Sequence, residues 1–123
     1  MIKLLLIGCG GFVGAVLRYL ISGWAYSVAG SDFPVGTLVV NLLGSLVLGL
    51  VLGLSDQFII EPQLLAFLTI GLLGAFTTFS TFSFESWALI EMGSYGRALL
   101  NMGLSLILGL AALALGLLVG RSL

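Results

Sequence analysis

Four runs of the chain are long and apolar enough to cross a lipid bilayer, and together they leave little sequence outside them. They cover about residues 4–21, 35–54, 64–90 and 98–119. A hydrocarbon core about 30 Å thick calls for about 20 apolar residues per helix. Inside it every backbone N–H and C=O must pair within its own segment, so the runs are expected to be helices. Charged residues make up 7% of the chain, too few to keep a folded surface wet, since a soluble domain carries about 25%. The expectation is an all-α integral membrane protein, a single four-span domain over residues 1–123, multi-pass in the cell (inner) membrane. Helices joined by such short loops alternate in direction, which puts both termini on one side. That side is called A here, and the other B.

Lys3 followed by Leu4, Leu5, Leu6 and Ile7 has the look of a secretory signal. Arg18 interrupts the apolar run, however, and no small-residue cleavage site follows, so the segment is read as a retained span.

Much chemistry is excluded. There is no His, so imidazole bases and His-ligated metals are ruled out. Cys9 is the single cysteine, which rules out an intrachain disulfide and a Cys-cluster zinc site. Four Lys+Arg against five Asp+Glu give no electrostatic footprint for nucleic acid. An enzyme is not expected.

Orientation in the membrane follows Lys and Arg in short loops. Lys3 and Arg121 fall on side A, and Arg97 on side B with Arg18 close to it. The count is balanced, so the charges give almost no instruction. Two readings remain: an insertion factor resolves the weak bias, or copies insert both ways and meet as an antiparallel pair.

The 18 glycines include Gly10 and Gly14, Gly49 and Gly53, and Gly116 and Gly120, each four apart. Such small-xxx-small pairs let helix backbones approach closely. In the fourth span Asn101, Ser105, Gly109, Ala112 and Gly116 form one stripe of small and polar residues. These faces are expected to serve a dimer as well as the monomer; for any single pair, internal packing alone is the other reading.

Polar groups inside a bilayer are costly and mark function. At 1.5 Å per residue, Arg18 lies about 10 Å beneath side B, Asn41 about 9 Å and Ser105 about 10 Å, with Ser45 deeper. Glu85 comes near the side-B end of the third span. The polar groups thus gather in one half of the membrane, and an antiparallel twin would supply the other half. The third span carries Gly71 and Gly74, then Thr77 and Thr78, near the midplane. This pattern predicts a helix break whose freed carbonyls can hold a cation. The alternative is a continuous helix with Thr hydroxyls bonded to the preceding turn. Phe79 and Phe82 share a helix face just beyond. Their ring edges are positive and can attract a small anion without a full charge to trap it. Simple packing is the other reading. Hydroxyls of Ser80, Thr81 and Ser105 and the Asn41 amide can donate hydrogen bonds along the way; for Asn41 the other reading is a plain hydrogen bond to a neighbouring helix.

Three motifs, in order, span the chain. The run Gly74-Ala75-Phe76-Thr77-Thr78-Phe79-Ser80-Thr81-Phe82 resembles the signature of the Fluc (CrcB) fluoride channels. Gly14-Ala15-Val16-Leu17-Arg18-Tyr19 resembles that family's first-span motif, and the run from Gly36 to Ser45 its second-span motif. The resemblance implies an antiparallel dual-topology homodimer with two passive pathways that let cytoplasmic fluoride escape. It implies that Phe79 and Phe82 are the paired pore phenylalanines and that Asn41 is the vestibule asparagine. Ser80, Thr81 and Ser105 would form a polar track beside them. Backbone carbonyls of Gly74 and Thr77 from both copies would hold a central structural Na⁺. The chain departs from the pattern at Ala75, where the signature has a second glycine, and at Asn101, where an aromatic or hydroxyl residue is expected.

Two other classes compete. A small multidrug exporter has four spans too, but its proton exchange needs a carboxylate within the first span. The first acidic residue here is Asp32, in a loop. An accessory subunit that only packs against partners would explain the glycines, but not the polar row or the broken third span.

Overall fold

Each reversal of the chain falls where residue chemistry stops a helix. The computed structural model describes every residue from Met1 to Leu123. Helix α1 (Ile2–Ala29) ends at Gly30, whose φ of 80° lies in the region that favours glycine. Pro34 then precedes α2 (Val35–Gln57). At the second reversal the Glu61 carboxylate accepts from the Leu64 N–H (3.3 Å), and Pro62 opens α3 (Pro62–Ala66), where its missing N–H costs nothing. The third reversal turns on Gly93, with φ 75°.

The third span is composite. After α3 come a π-helical stretch (Phe67–Leu72), a short α4 (Leu73–Phe76), two extended residues, and α5 (Phe79–Glu91). The fourth span is α6 (Tyr95–Ser122). The expected break is therefore present, at Thr77 (φ −84°, ψ 156°) and Thr78 (φ −148°, ψ 115°). Thr77 also bonds its hydroxyl back to the Leu73 carbonyl (3.0 Å), so back-bonding accompanies the break instead of replacing it.

Four helical segments, of 28, 23, 30 and 28 residues, are long and apolar enough to cross a membrane, and each overruns its apolar run. Flanking residues such as Trp24 and Tyr26 continue the hydrogen-bond ladder into the interfacial layer, where aromatic residues are favoured. The chain is a multi-pass membrane protein.

Glycine decides how the spans pack. A methyl at Gly10 would lie 2.6 Å from the Phe67 carbonyl oxygen, and one at Gly14 would overlap that of Leu72. These contacts set α1 directly on the π-helical stretch. Gly49 and Gly53 meet the carbonyls of Leu113 and Leu117, while Gly116 and Gly120 meet those of Leu46 and Leu50. The two sets advance together, so α2 and α6 run parallel. All six glycines of the four-residue pairs are engaged within one copy of the chain. Gly109, on the same fourth-span stripe, faces open space. Outward-facing Leu4, Leu5 and Leu110 are exposed, as suits a surface wetted by lipid.

Candidate functional site

The break is held open by side chains. Asn41, on α2, donates from Nδ2 to the Thr78 carbonyl (3.1 Å) and accepts from the Thr78 N–H at Oδ1 (2.8 Å). In a continuous helix that N–H would bond the Gly74 carbonyl. The Thr81 N–H, which would serve the Thr77 carbonyl, is directed to Thr78 Oγ1 instead (3.3 Å), an N-cap for α5. The Gly74 and Thr77 carbonyls are thereby released from the helix ladder, and Gly74 is exposed. Beneath the break, Gly44 leaves room for Thr77: a Cβ there would overlap the Thr77 Cγ2 methyl.

Beside the break lies a cavity of about 380 Å³ between α2, the third span and α6. It brings together Asn41, Gly74, Thr77, Phe79, Phe82 and Ser105 from the sequence-expected set. The rings of Phe79 and Phe82 stand 5.7 Å apart at 44°. Phe79 is 79% exposed. The Ser105 hydroxyl is buried and has no hydrogen-bond partner. No Lys or Arg lines the cavity. Amide and hydroxyl donors, ring edges and an absence of full charge are the features that hold a small anion weakly enough to release it.

Ser80 and Thr81 stand apart from this lining. Thr78 Oγ1 donates to Thr81 Oγ1 (2.9 Å), and Ser80 Oγ lies 3.4 Å from the same Thr78 oxygen. Both therefore belong to the cap of α5. Asn101, nearer side B, is fully buried and donates to the Ser86 hydroxyl (2.9 Å), tying α6 to α5.

A second polar cluster lies at the side-B end. Glu85 Oε1 accepts from the hydroxyls of Thr37 (2.8 Å) and Tyr26 (3.0 Å), while Oε2 is buried and unpartnered. Tyr26 and Thr37 went unremarked in the sequence. Their signal was position: like Glu85, each lies close to the side-B end of its span. Arg18 is half-buried and forms no ion pair; the one salt bridge joins Arg121 to Asp56 on side A (2.8 Å).

The chain can be compared with known proteins on this footing. Residues 5–117 match the model of the family described as CrcB-like protein, Camphor Resistance (CrcB). A "Fluoride-specific ion channel FluC" of Hydrogenovibrio crunogenus is 45% identical over 121 residues, covering 98% of this chain and 92% of the relative. One of Shewanella baltica is 50% identical over 114 residues, covering 93% and 92%. The "Fluoride-specific ion channel FluC 1" of Methanosarcina acetivorans is 49% identical over 117 residues, covering 94% and 88%. With the family match running through all four spans and identity near one half over almost the full length, the chain belongs to the CrcB-like family.

Proposed function

We propose that this protein is a fluoride-specific ion channel of the cell (inner) membrane and not an enzyme. The observation that carries the reading is the cavity at the third-span break, where the Phe79 and Phe82 rings sit with the unpartnered Ser105 hydroxyl. Relatives at 45–50% identity bear the name of fluoride-specific channels, which agrees with it. Fluoride is small and strongly hydrated, so shedding water requires several weak substitutes in succession. Phenyl edges, the remaining N–H of Asn41 and the Ser105 hydroxyl supply them, and no cation at the centre arrests the ion. Ser80 and Thr81 complete the polar track from behind, by fixing the cap that aims Phe79 and Phe82. Flow is passive and discharges fluoride from the cytoplasm.

The working unit is an antiparallel homodimer with two pathways. Its supports are the balanced Lys/Arg count, the exposed Phe79 ring and the placing of the polar groups in one half of the membrane. The Gly74 and Thr77 backbone carbonyls of the two copies would hold a structural Na⁺. The donor set fits a small hard cation: the Gly74 and Thr77 carbonyls are neutral oxygens released from the helix ladder, two from each copy. When bound, the ion would supply positive charge between the opposed breaks and would not move with fluoride.

The test is fluoride efflux from liposomes containing the purified chain alone, read with a fluoride electrode beside a matched chloride gradient. Fluoride should leave far faster than from protein-free liposomes and chloride should not. Equal rates with and without protein would remove the reading.

A further inference from the structure

Five hydroxyl side chains line the cavity: Ser45, Thr69, Thr77, Thr78 and Ser105. Three of them are committed to the protein itself. Thr69 donates to the Leu65 carbonyl (2.8 Å), Thr77 to that of Leu73 (3.0 Å), and Thr78 to Thr81 Oγ1 (2.9 Å). Ser105 and Ser45 have no protein partner. A helical serine ordinarily returns its proton to the carbonyl one turn back, as Ser22 does to Arg18 (2.6 Å). Ser45 does not, although it is half-buried in the middle of α2.

Ser45 follows Asn41 by four residues, so it lies on the same helix face about 6 Å farther from side B. Its neighbour Gly44 sits under Thr77, which places Ser45 beside the break. The rest of the α2 and α6 lining is apolar: Leu48, Met102 and Leu106. An anion moving inward from Asn41 along α2 therefore meets one available donor. We propose that the Ser45 hydroxyl donates to fluoride and is the step of the pathway that follows Asn41 towards the membrane centre. This role rests on the fluoride-channel reading.

The experiment compares fluoride efflux per assembled dimer, in liposomes, for the wild type and for Ser45→Ala, Ser45→Thr and Thr69→Val. Losing a hydrogen bond to a charged partner should slow efflux about tenfold in Ser45→Ala. Ser45→Thr keeps the hydroxyl and should retain most of the flux. Thr69→Val removes a hydroxyl from the same cavity, but one already bonded to Leu65, and should conduct as the wild type does. If Ser45→Ala fails to assemble, Ser45→Cys, which keeps the bulk and weakens the donor, must show the loss for the role to stand. A conducting wild type with an equally fast Ser45→Ala overturns the Ser45 role alone. So does an equal loss in Ser45→Thr or Thr69→Val, which would make cavity shape the cause. A wild type that passes no fluoride overturns the channel reading, and the Ser45 role with it.

Discussion

One amide, that of Asn41, pairs with both backbone groups of Thr78, and this ties the proposed pathway to the fold at the level of a single residue. Replacing it by leucine leaves the Thr78 N–H and C=O buried without partners, each at a cost of about 1–3 kcal/mol. Asn41→Leu should therefore lower the melting temperature in detergent as well as the fluoride flux. Unchanged melting would show that the pairing does not hold the break. From the sequence, Asn41 was legible as a polar residue at depth facing other spans. Its partner was not, because Thr78 lies 37 positions away and offers backbone, which no residue type announces. The same limit applies to Ser80 and Thr81. Their hydroxyls read as track donors, but their place beside the Thr78 hydroxyl in the cap of α5 depends on the break and was not legible.

At the scale of the element, the third span is where local chemistry and packing meet. Thr77 and Thr78 end the first half-helix, and their β-branched side chains suit the extended conformation they adopt. That much was visible in the residue order. The π-helical stretch Phe67–Leu72 was not, since its residues read as an ordinary apolar helix. It lies where Gly10 and Gly14 bring α1 onto its backbone, a contact set by residues more than fifty positions earlier. Gly14→Ala should destabilise the protein by about 1–3 kcal/mol, because the added methyl meets a carbonyl that cannot swing aside. Gly8→Ala, on the same helix with open space around it, should leave melting unchanged. Thermal denaturation of the two variants side by side checks this; equal stability would mean that the α1 contact yields more readily than the backbone geometry implies.

For the whole molecule, the balance of charge is the property with the widest consequence. Lys3 and Arg121 on side A face Arg18 and Arg97 on side B. Orientation is then set by little, and both insertions should occur. A cysteine introduced at Ser31, with Cys9 replaced by alanine, should react with a membrane-impermeant thiol reagent from both faces of the membrane. Reaction from one face alone in intact cells would contradict the antiparallel dimer. Phe82→Ile probes whether fluoride passes the rings at the break, since isoleucine keeps apolar bulk and deletes the ring edge. The decisive measurement is fluoride efflux per assembled dimer for Phe82→Ile against the wild type. Efflux should fall at least about tenfold with the dimer intact; a variant that assembles and conducts like the wild type would show that fluoride does not pass the rings.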